Sequence, residues 1–339
     1  MKFDVVVGNP PYQEESVGDN FSDGSIYHHF YELAEKISNK YCLISPARFL
    51  FKAGKTPEEW NNKMLNDKHL KVIHFEQISQ KIFPTTEIKG GVAILYRDSN
   101  YEFGKIEIFV SSETLRSIIK KVGERIFETI DSIVTNRGQY RYSDLIYNQY
   151  PNEMERTSDR RIAPSAFDRF PEFFTINKPC NEIEYVQICG RISNERAYRW
   201  FRKDFLVAPH SFEKFKVVIP KASGSGKLGE VISNPFIGEP YIGFTETFIS
   251  IGSFETEIEA INTLKYIKTK FARTMLGVLK ITQNMSKETW SKVPLQDFTE
   301  NSDIDWNQSI PEIDQQLYVK YGLSQDEIDF IETNVKQME

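Results

Sequence analysis

The sequence is poor in the features that mark secreted, membrane-spanning and metal-binding proteins. Its 339 residues contain three cysteines, Cys42, Cys180 and Cys189, which form no C-x-x-C pair, and five histidines, none at zinc-ligand spacing with them. No run of about 18 apolar residues occurs, and the opening residues MKFDVVVGNPP lack the basic region and long apolar core of a secretory signal. We therefore expect free thiols, no metal, no membrane contact and a cytoplasmic location.

Internal repeats and low-complexity tracts are also missing, while 40% of the residues are hydrophobic. This composition predicts a folded chain with enough apolar side chains for two domains. The net charge of -6 hides a strong segregation. Residues 156–227 carry 14 Lys and Arg against 8 Asp and Glu, and residues 261–292 carry 7 against 1. Residues 295–339 carry 2 against 11, so an acidic tail masks two basic blocks that could meet a polyanion or be ordinary solvated faces.

The amino-terminal third alternates between predicted strands and helices. The apolar run at residues 3–7, which precedes Gly8, predicts a strand buried on both faces, and KYCLIS, KVIHFE and GGVAILYR predict three more. KIEIFV (105–110) predicts a hairpin partner antiparallel to GGVAILYR. SIYHHFYELAEKISN predicts a helix whose buried face comprises Ile26, Phe30, Leu33, Ala34 and Ile37. This order predicts an α/β fold, one half of a doubly wound, Rossmann-like sheet with an antiparallel edge.

Four segments follow from these patterns. Residues 1–111 form the partial α/β domain, and a helix over 112–135 connects it to a mixed α+β domain at 136–296. Residues 297–339 comprise an acidic linker and a short helical tail. In that tail, Gly322 is predicted to end one helix, while Ser324 and Glu327 are predicted to form the capping box of the last one.

The stretch after the first strand, Asn9-Pro10-Pro11-Tyr12, carries the clearest chemistry. It lies at the carboxyl end of a predicted parallel strand, where open α/β sheets place their sites. The prolines stiffen the loop, so the Asn9 side-chain oxygen and the Pro10 carbonyl can converge as two acceptors. Such a pair suits an exocyclic amino group, whose nitrogen lone pair would then point at an electrophile, and Tyr12 offers a face for a base. The alternative is a plain turn that ends the strand.

These residues resemble motif IV of the adenine-N6 DNA methyltransferases of bacterial restriction–modification systems, in the gamma-type motif order. YCLISPARFL is similar to the strand after that motif, IKGGVAILYR to motif VIII, and VVIPKASGSG, KYIKTKFARTMLGVLKITQN and WSKVPLQDF to the target-recognition region. The resemblance implies methyl transfer from S-adenosyl-L-methionine to an adenine flipped out of double-stranded DNA. It also implies that Asn9, Pro10, Pro11 and Tyr12 are catalytic, that Tyr96 contacts the flipped base, and that residues 136–296 recognise the target.

The sequence departs from that pattern in its cofactor motif. In such enzymes the Gly-rich turn that binds S-adenosyl-L-methionine precedes motif IV by many tens of residues, whereas eight residues precede Asn9 here. The stretch KASGSGKLGE follows a strand without opening a helix, and Leu228 breaks the Walker pattern. We expect that this chain alone binds the cofactor poorly. A partner methyltransferase chain, self-association or truncation of a longer enzyme would account for the difference.

DNA contacts are predicted at three places. Basic residues alternate with aromatics in RISNERAYRWFRKDF, where Tyr198, Trp200 and Phe201 could pack beneath the cations or form an ordinary core. The glycine-rich loop offers two lysines, and a later segment offers a lysine and two amides that could pair with adenine edges. The predicted contacts are Arg191, Arg196, Arg199, Arg202, Lys203, Lys221, Lys227, Lys280, Gln283 and Asn284.

Three functions fit these observations. The first is the catalytic and recognition part of an adenine-N6 DNA methyltransferase that needs a complementary cofactor-binding segment. The second is a DNA-binding specificity subunit, or a truncated methylase, that is inactive alone. The third is a protein or RNA amino-group methylase. It explains the large basic region less well, because a basic domain of roughly 200 residues indicates a large polymer substrate.

Overall fold

The computed structural model describes residues 3–14, 24–51, 54–106, 109–110 and 112–338. It divides into two compact units, Met1–Ser112 and Glu113–Glu339. Among its described residues, the first unit contains a four-stranded sheet and two α-helices. Its elements are β1 (Val6–Gly8), α1 (Tyr27–Ile37), β2 (Lys40–Pro46), α2 (Glu58–Asn66), β3 (Leu70–Glu76) and β4 (Val92–Asp98).

The strand order in this sheet is β1-β2-β4-β3. β1 is parallel to β2, and β4 is antiparallel to both β2 and β3. Strands form in all four predicted runs, but β1 spans only Val6–Gly8 and is not buried on both faces as predicted, because Val7 is 72% exposed. The antiparallel strand lies inside the sheet instead of at its edge. Both edges of β4 are therefore already hydrogen-bonded, which leaves no edge for a hairpin partner.

The described residues of the predicted strand at 105–110 accordingly form no strand. Residues 105, 106, 109 and 110 are irregular, and residues 107 and 108 lie outside the described residues. Ile106 and Phe109 instead pack against the core of the first unit from a loop. Burial of apolar side chains thus occurred without strand pairing.

Helix α1 forms within its predicted range, but it buries a different face. Tyr27, Tyr31 and Ala34 enter the core, whereas Phe30 and Leu33 remain 37% and 50% exposed. The helix carries apolar side chains on more than one side, so periodicity alone did not identify the side that meets the sheet.

The second unit contains three sheets, ordered β11-β10-β13-β5, β12-β7-β8 and β6-β9, and eight helices among its described residues. Its strands are β5 (Val134–Thr135), β6 (Arg141–Tyr142), β7 (Tyr185–Ile192), β8 (Glu195–Arg202), β9 (Leu206–Val207), β10 (Phe215–Pro220), β11 (Phe236–Gly238), β12 (Ile242–Phe244) and β13 (Phe248–Phe254). Its helices are α3 (Glu113–Gly123), α4 (Asp144–Gln149), α5 (Pro151–Met154), α6 (Ala166–Arg169), α7 (Glu257–Lys268), α8 (Lys270–Gly277), α9 (Ile310–Tyr321) and α10 (Gln325–Asn334).

Strand β10 separates two hydrophobic cores, because successive side chains of a strand point to opposite faces. Val217 and Ile219 face the core under α7 and α8, and Val218 faces an aromatic-rich core under β7 and β8.

The connecting helix is shorter than predicted: α3 ends at Gly123, and the next helical turn is a 3-10 turn at Ile130–Ile133.

The acidic carboxyl-terminal segment packs into the hydrophobic core under α7 and α8, whereas the sequence predicted a linker. Trp306 is buried, and its indole N–H donates to the Asp297 carbonyl at 3.0 Å. The predicted helix ends are confirmed: Gly322 ends α9 in the left-handed conformation, and a capping box of Ser324 and Glu327 begins α10. Apolar residues anchor this segment. They are spaced among the carboxylates, so an average over the composition of the segment does not reveal them.

Candidate functional site

The Asn-Pro-Pro-Tyr loop leaves the sheet at the carboxyl end of β1. β1 pairs with β2 only as far as Gly8, which lies opposite Leu43, so residues 9–12 project beyond the paired region. Pro10 is buried while Asn9 is exposed. The buried proline therefore fixes the loop against the unit, and the amide of Asn9 is left open to an incoming group.

The Asn9 side chain is oriented by a neighbour in the same loop. The Tyr12 hydroxyl donates a hydrogen bond of 2.6 Å to Asn9 Oδ1. Burial raises the pKa of Tyr12 to about 12, so this hydroxyl remains a proton donor at neutral pH. An amide oxygen has two lone pairs, and Asn9 can therefore accept a second hydrogen bond.

A second aromatic residue lies beside the loop. The ring of Phe83 meets that of Tyr12 edge to face, with centroids 6.5 Å apart. The Phe83 N–H donates to the Ser79 carbonyl at 2.8 Å, which places the ring in the connection between β3 and β4. Phe83 is not among the predicted site residues; its signal in the sequence is a Phe-Pro pair shortly before the Gly90-Gly91 turn.

Tyr96, the predicted contact of the flipped base, lies elsewhere. The strand register places it in a cross-strand row with Val7, before the end of β1, and its hydroxyl donates to Asp98 at 3.4 Å. Because β4 is antiparallel to β2, the first residues of β4, such as Val92, approach the edge that carries Asn9. The structure therefore does not bring Tyr96 to the loop.

In the second unit, β7 and β8 form the basic hairpin predicted to bind DNA. Phe201 is fully buried beneath it, while Tyr198 and Trp200 are half-buried. Arg202 is bound to Asp204 through two hydrogen bonds, and Lys203 to Glu184 at 2.9 Å. These two predicted contacts are thus neutralised by local carboxylates.

The other three arginines of the hairpin differ in this respect. Arg191, Arg196 and Arg199 have no carboxylate within ion-pair distance in the described part of the chain. Each guanidinium instead lies near an aromatic ring. Their positive charge is available to a ligand.

The second basic block is turned inward. Lys280 is 6% exposed and forms an ion pair with Glu230 at 3.4 Å, which corrects its prediction as a DNA contact. Lys270 pairs with Glu332, and Arg273 is buried among backbone carbonyls. Charge counting did not reveal this, because burial depends on which side of α8 meets the core.

The glycine-rich loop is tied down by its own carboxylate. Ser225 and Gly226 donate backbone N–H bonds to Glu230, and the Ser225 hydroxyl adds a third at 2.6 Å. Burial alone would raise the pKa of Glu230, but these donors and Lys280 lower it to about 2. These backbone N–H groups are therefore not available to cradle a phosphate.

The remaining predicted contacts come together on one surface. The Ser223 N–H donates to the Gln283 carbonyl at 2.7 Å, and the Met285 N–H donates to the Lys221 carbonyl at 2.8 Å. Lys227 on the same loop is exposed, as are Gln283 and Asn284. In the described ranges, no helix is long and apolar enough to cross a membrane, and no three metal-binding side chains cluster.

The Asn9 loop, β1, β2 and β3 lie in the part of the chain that matches a known family model. Residues 1–83 match the family model of the Eco57I restriction-modification methylase. Over 105 residues the chain is 33% identical to an "uncharacterized adenine-specific methylase" of Mycoplasma pneumoniae, a match that covers 30% of this chain and 25% of that protein. These matches support a methyltransferase of a restriction–modification system; the chain spans about a quarter of the curated relative's length.

Two solved structures show a weaker likeness. The type IIG restriction endonuclease BpuSI aligns with a TM-score of 0.36 and 13% identity, covering 97% of this chain and 52% of that one. The type IIL restriction-modification enzyme MmeI, solved in complex with DNA, aligns with a TM-score of 0.37 and 11% identity, covering 98% and 56%. Likenesses at this level assign neither fold nor function.

Proposed function

We propose that this chain supplies the catalytic loop and the DNA-recognition region of an adenine-N6 DNA methyltransferase in a restriction–modification system. One observation carries the proposal: the exposed amide of Asn9, oriented by Tyr12 and held by buried Pro10, stands at the carboxyl end of β1 within the matched residues 1–83. The adenine specificity and the catalytic roles of these residues are part of the proposal.

The proposed chemistry uses the loop as a pair of acceptors. The adenine amino group donates one hydrogen to Asn9 Oδ1 and the other to the Pro10 carbonyl. Its nitrogen lone pair is thereby directed at the methyl group, which bound S-adenosyl-L-methionine would supply. Tyr12 and Phe83 offer aromatic surfaces to the flipped base, the latter in place of Tyr96.

The described residues fit only the reactive edge of that cofactor. The glycine-rich stretch lies in the second unit, leads to β11 instead of a helix, and has the N–H groups of Ser225 and Gly226 occupied by Glu230. We propose that a complementary segment, on a longer chain or on a second polypeptide, binds most of the cofactor.

An apolar surface on the first unit supports such a segment. Among the described residues, β1 is an edge strand. Val7 within it is 72% exposed, and Phe3 and Val5 just before it are 50% and 47% exposed. Phe30 and Leu33 of α1 are also exposed. Because an uncovered apolar sheet edge invites pairing, we propose that the cofactor-binding segment continues the sheet at β1.

Methyl transfer by the reconstituted assembly tests the catalytic role. Asn9→Ala should reduce incorporation of labelled methyl groups into duplex DNA by about 100- to 1,000-fold, the usual cost of removing one preorganised polar partner from a transition state, and duplex binding should survive. Asn66→Ala, at an exposed position on α2, is the matched control. Undiminished incorporation by Asn9→Ala would refute the role of the loop.

Calorimetry and methyl transfer together distinguish a methyltransferase that needs a complementary segment from a DNA-specificity subunit that is inactive alone. The purified chain should bind S-adenosyl-L-methionine weakly, and tighter binding should appear with the product of a neighbouring gene or with a longer chain. Micromolar binding by the chain alone would contradict the need for a complementary segment. Duplex binding without methyl transfer in every assembly would favour a DNA-specificity subunit.

A further inference from the structure

Two arginines face each other near the tip of the β7–β8 hairpin. The register places Arg191 directly opposite Arg196. Ser193 and Asn194 both have positive φ, which closes the hairpin with a tight two-residue turn and fixes this register. Directly opposed residues have Cβ atoms about 4.5–5.5 Å apart and project from the same face, so the two side chains share one surface.

This pairing is unfavourable unless a ligand compensates it. Like charges directly opposite each other destabilise a sheet, and neither arginine has a carboxylate within ion-pair distance among the described residues. The hairpin does use carboxylates elsewhere, since Arg202 of β8 is held by Asp204. The absence of such a partner at the tip therefore distinguishes this pair from Arg202.

Aromatic and backbone contacts orient the two guanidinium groups. Arg196 lies over the ring of Phe236, 3.8 Å from its centroid, and donates to the Asn234 carbonyl at 3.1 Å. Arg191 lies 5.8 Å from the centroid of Phe248. Stacking on a ring leaves the edges of a guanidinium, which carry its N–H donors, free to bind oxygen atoms.

The pair borders a cavity that can hold an anion. Its volume is about 240 Å³, several times the share of one water molecule in the liquid, about 30 Å³. It is lined by Arg191, Asn194, Glu195, Arg196, Asn234 and Phe248. Glu195 is the single carboxylate of this lining, and it forms no ion pair with either arginine.

We propose that Arg191 and Arg196 together bind one backbone phosphate of DNA in this cavity. The planar fork of an arginine matches the oxygens of a phosphate, and an anion between the two would relieve their repulsion. The inference rests on the proposed function for its choice of DNA, and it adds the place where the second unit holds the duplex backbone. A phosphate contact positions the protein and does not read sequence.

Duplex binding by three variants tests the pair. Arg191→Gln and Arg196→Gln should each weaken binding on the order of tenfold, since a charge-assisted hydrogen bond is lost. The slope of log affinity against log salt should become shallower by about 0.9 in the double variant, as expected for one phosphate. Arg202→Gln is the matched control, because its guanidinium is already held by Asp204; it should change neither quantity.

Stability and sequence dependence provide the second readout. Without DNA, the Arg191→Gln variant should melt at the same temperature or higher, because repulsion is removed, so a binding defect cannot be misfolding. The variants should lose the same factor in affinity for duplexes of different sequence. A loss of affinity seen only when one particular base pair is present would overturn the phosphate assignment. Wild-type affinity and salt slope in the double variant would overturn the inference as a whole.

Methylation separates this inference from the proposed function. If duplex binding depends on the two arginines but no assembly transfers methyl groups, the proposed function fails and the phosphate site stands. If methyl transfer occurs and binding is independent of both arginines, the site fails and the function stands. A wild-type chain that binds no duplex overturns the site together with the proposed recognition role.

Discussion

Replacement of Arg273 by methionine should destabilise the second unit strongly. Arg273 is 2% exposed on α8, yet no carboxylate balances its charge within ion-pair distance in the described ranges. Its guanidinium donates to the carbonyls of Lys268, Gly229, Glu230 and Lys336. One side chain thus links α8 to the glycine-rich loop and to the carboxyl-terminal segment.

The expected loss follows from these four acceptors. Methionine has a similar length and no donor, so the four carbonyls lose their partner while the site stays filled. At a net value of about 1 kcal/mol per hydrogen bond, the loss of unfolding free energy is about 4 kcal/mol. For a unit of this size, about 2–4 °C per kcal/mol predicts a melting temperature lower by about 8–16 °C.

Tryptophan fluorescence can report this transition. Three of the four tryptophans, Trp200, Trp290 and Trp306, belong to the second unit. Thermal and urea unfolding of Arg273→Met should be compared with Arg116→Met, since the Arg116 side chain is 57% exposed and its ion pair with Glu113 contributes less than about 1 kcal/mol. A loss below about 1 kcal/mol in Arg273→Met would refute the reasoning, since the carbonyls would then have found water or other donors.

Two further predictions concern buried charges. Lys216→Met should cost about 1–3 kcal/mol in urea unfolding, because the buried ammonium donates to the carbonyls of Phe212, Lys214 and Glu239. An equal effect of the control Lys214→Met, whose partly exposed side chain pairs with Glu255, would contradict this. Burial raises the pKa of Asp314 from 3.8 to about 6, so its contribution to stability is complete below about pH 4 and is lost as pH rises through 6. The unfolding free energy of wild type relative to Asp314→Asn should therefore fall by up to about 3 kcal/mol between pH 4 and 7, and a pH-independent difference would exclude the raised pKa.

Local sequence patterns predicted the secondary-structure elements well, but they did not predict which elements lie next to each other in the fold. The apolar runs became β1 to β4, and the Asn-Pro-Pro-Tyr loop does stand at a strand end. The sequence did not indicate that β4 would insert between β2 and β3, because strand order depends on pairing between segments far apart in the chain. That insertion left both edges of β4 occupied, so the hairpin partner predicted for β4 had no place beside it. The register of β4 then placed Tyr96 in the row of Val7, before the Asn9 loop.

The fate of the charged residues was likewise decided in three dimensions. Composition identified two basic blocks, and nothing in it separated Arg202, which is paired with Asp204, from Arg191, which is not. Arg273 on α8 and Lys280 just after it carry the same charge as exposed lysines, yet both are buried. Whether a cation is free depends on distances of a few ångströms that sequence spacing does not contain.

The sequence by itself determined the chemistry that this protein can offer. It specified an asparagine and two prolines after an apolar strand, a basic middle region and the caps of the last two helices, because each depends on residues close together in the chain. Only the tertiary structure decided which aromatic ring accompanies Tyr12, which arginines remain unpaired and which face of α1 is exposed. Those features arise where distant segments meet, and long-range packing selects among faces that local pattern leaves equivalent.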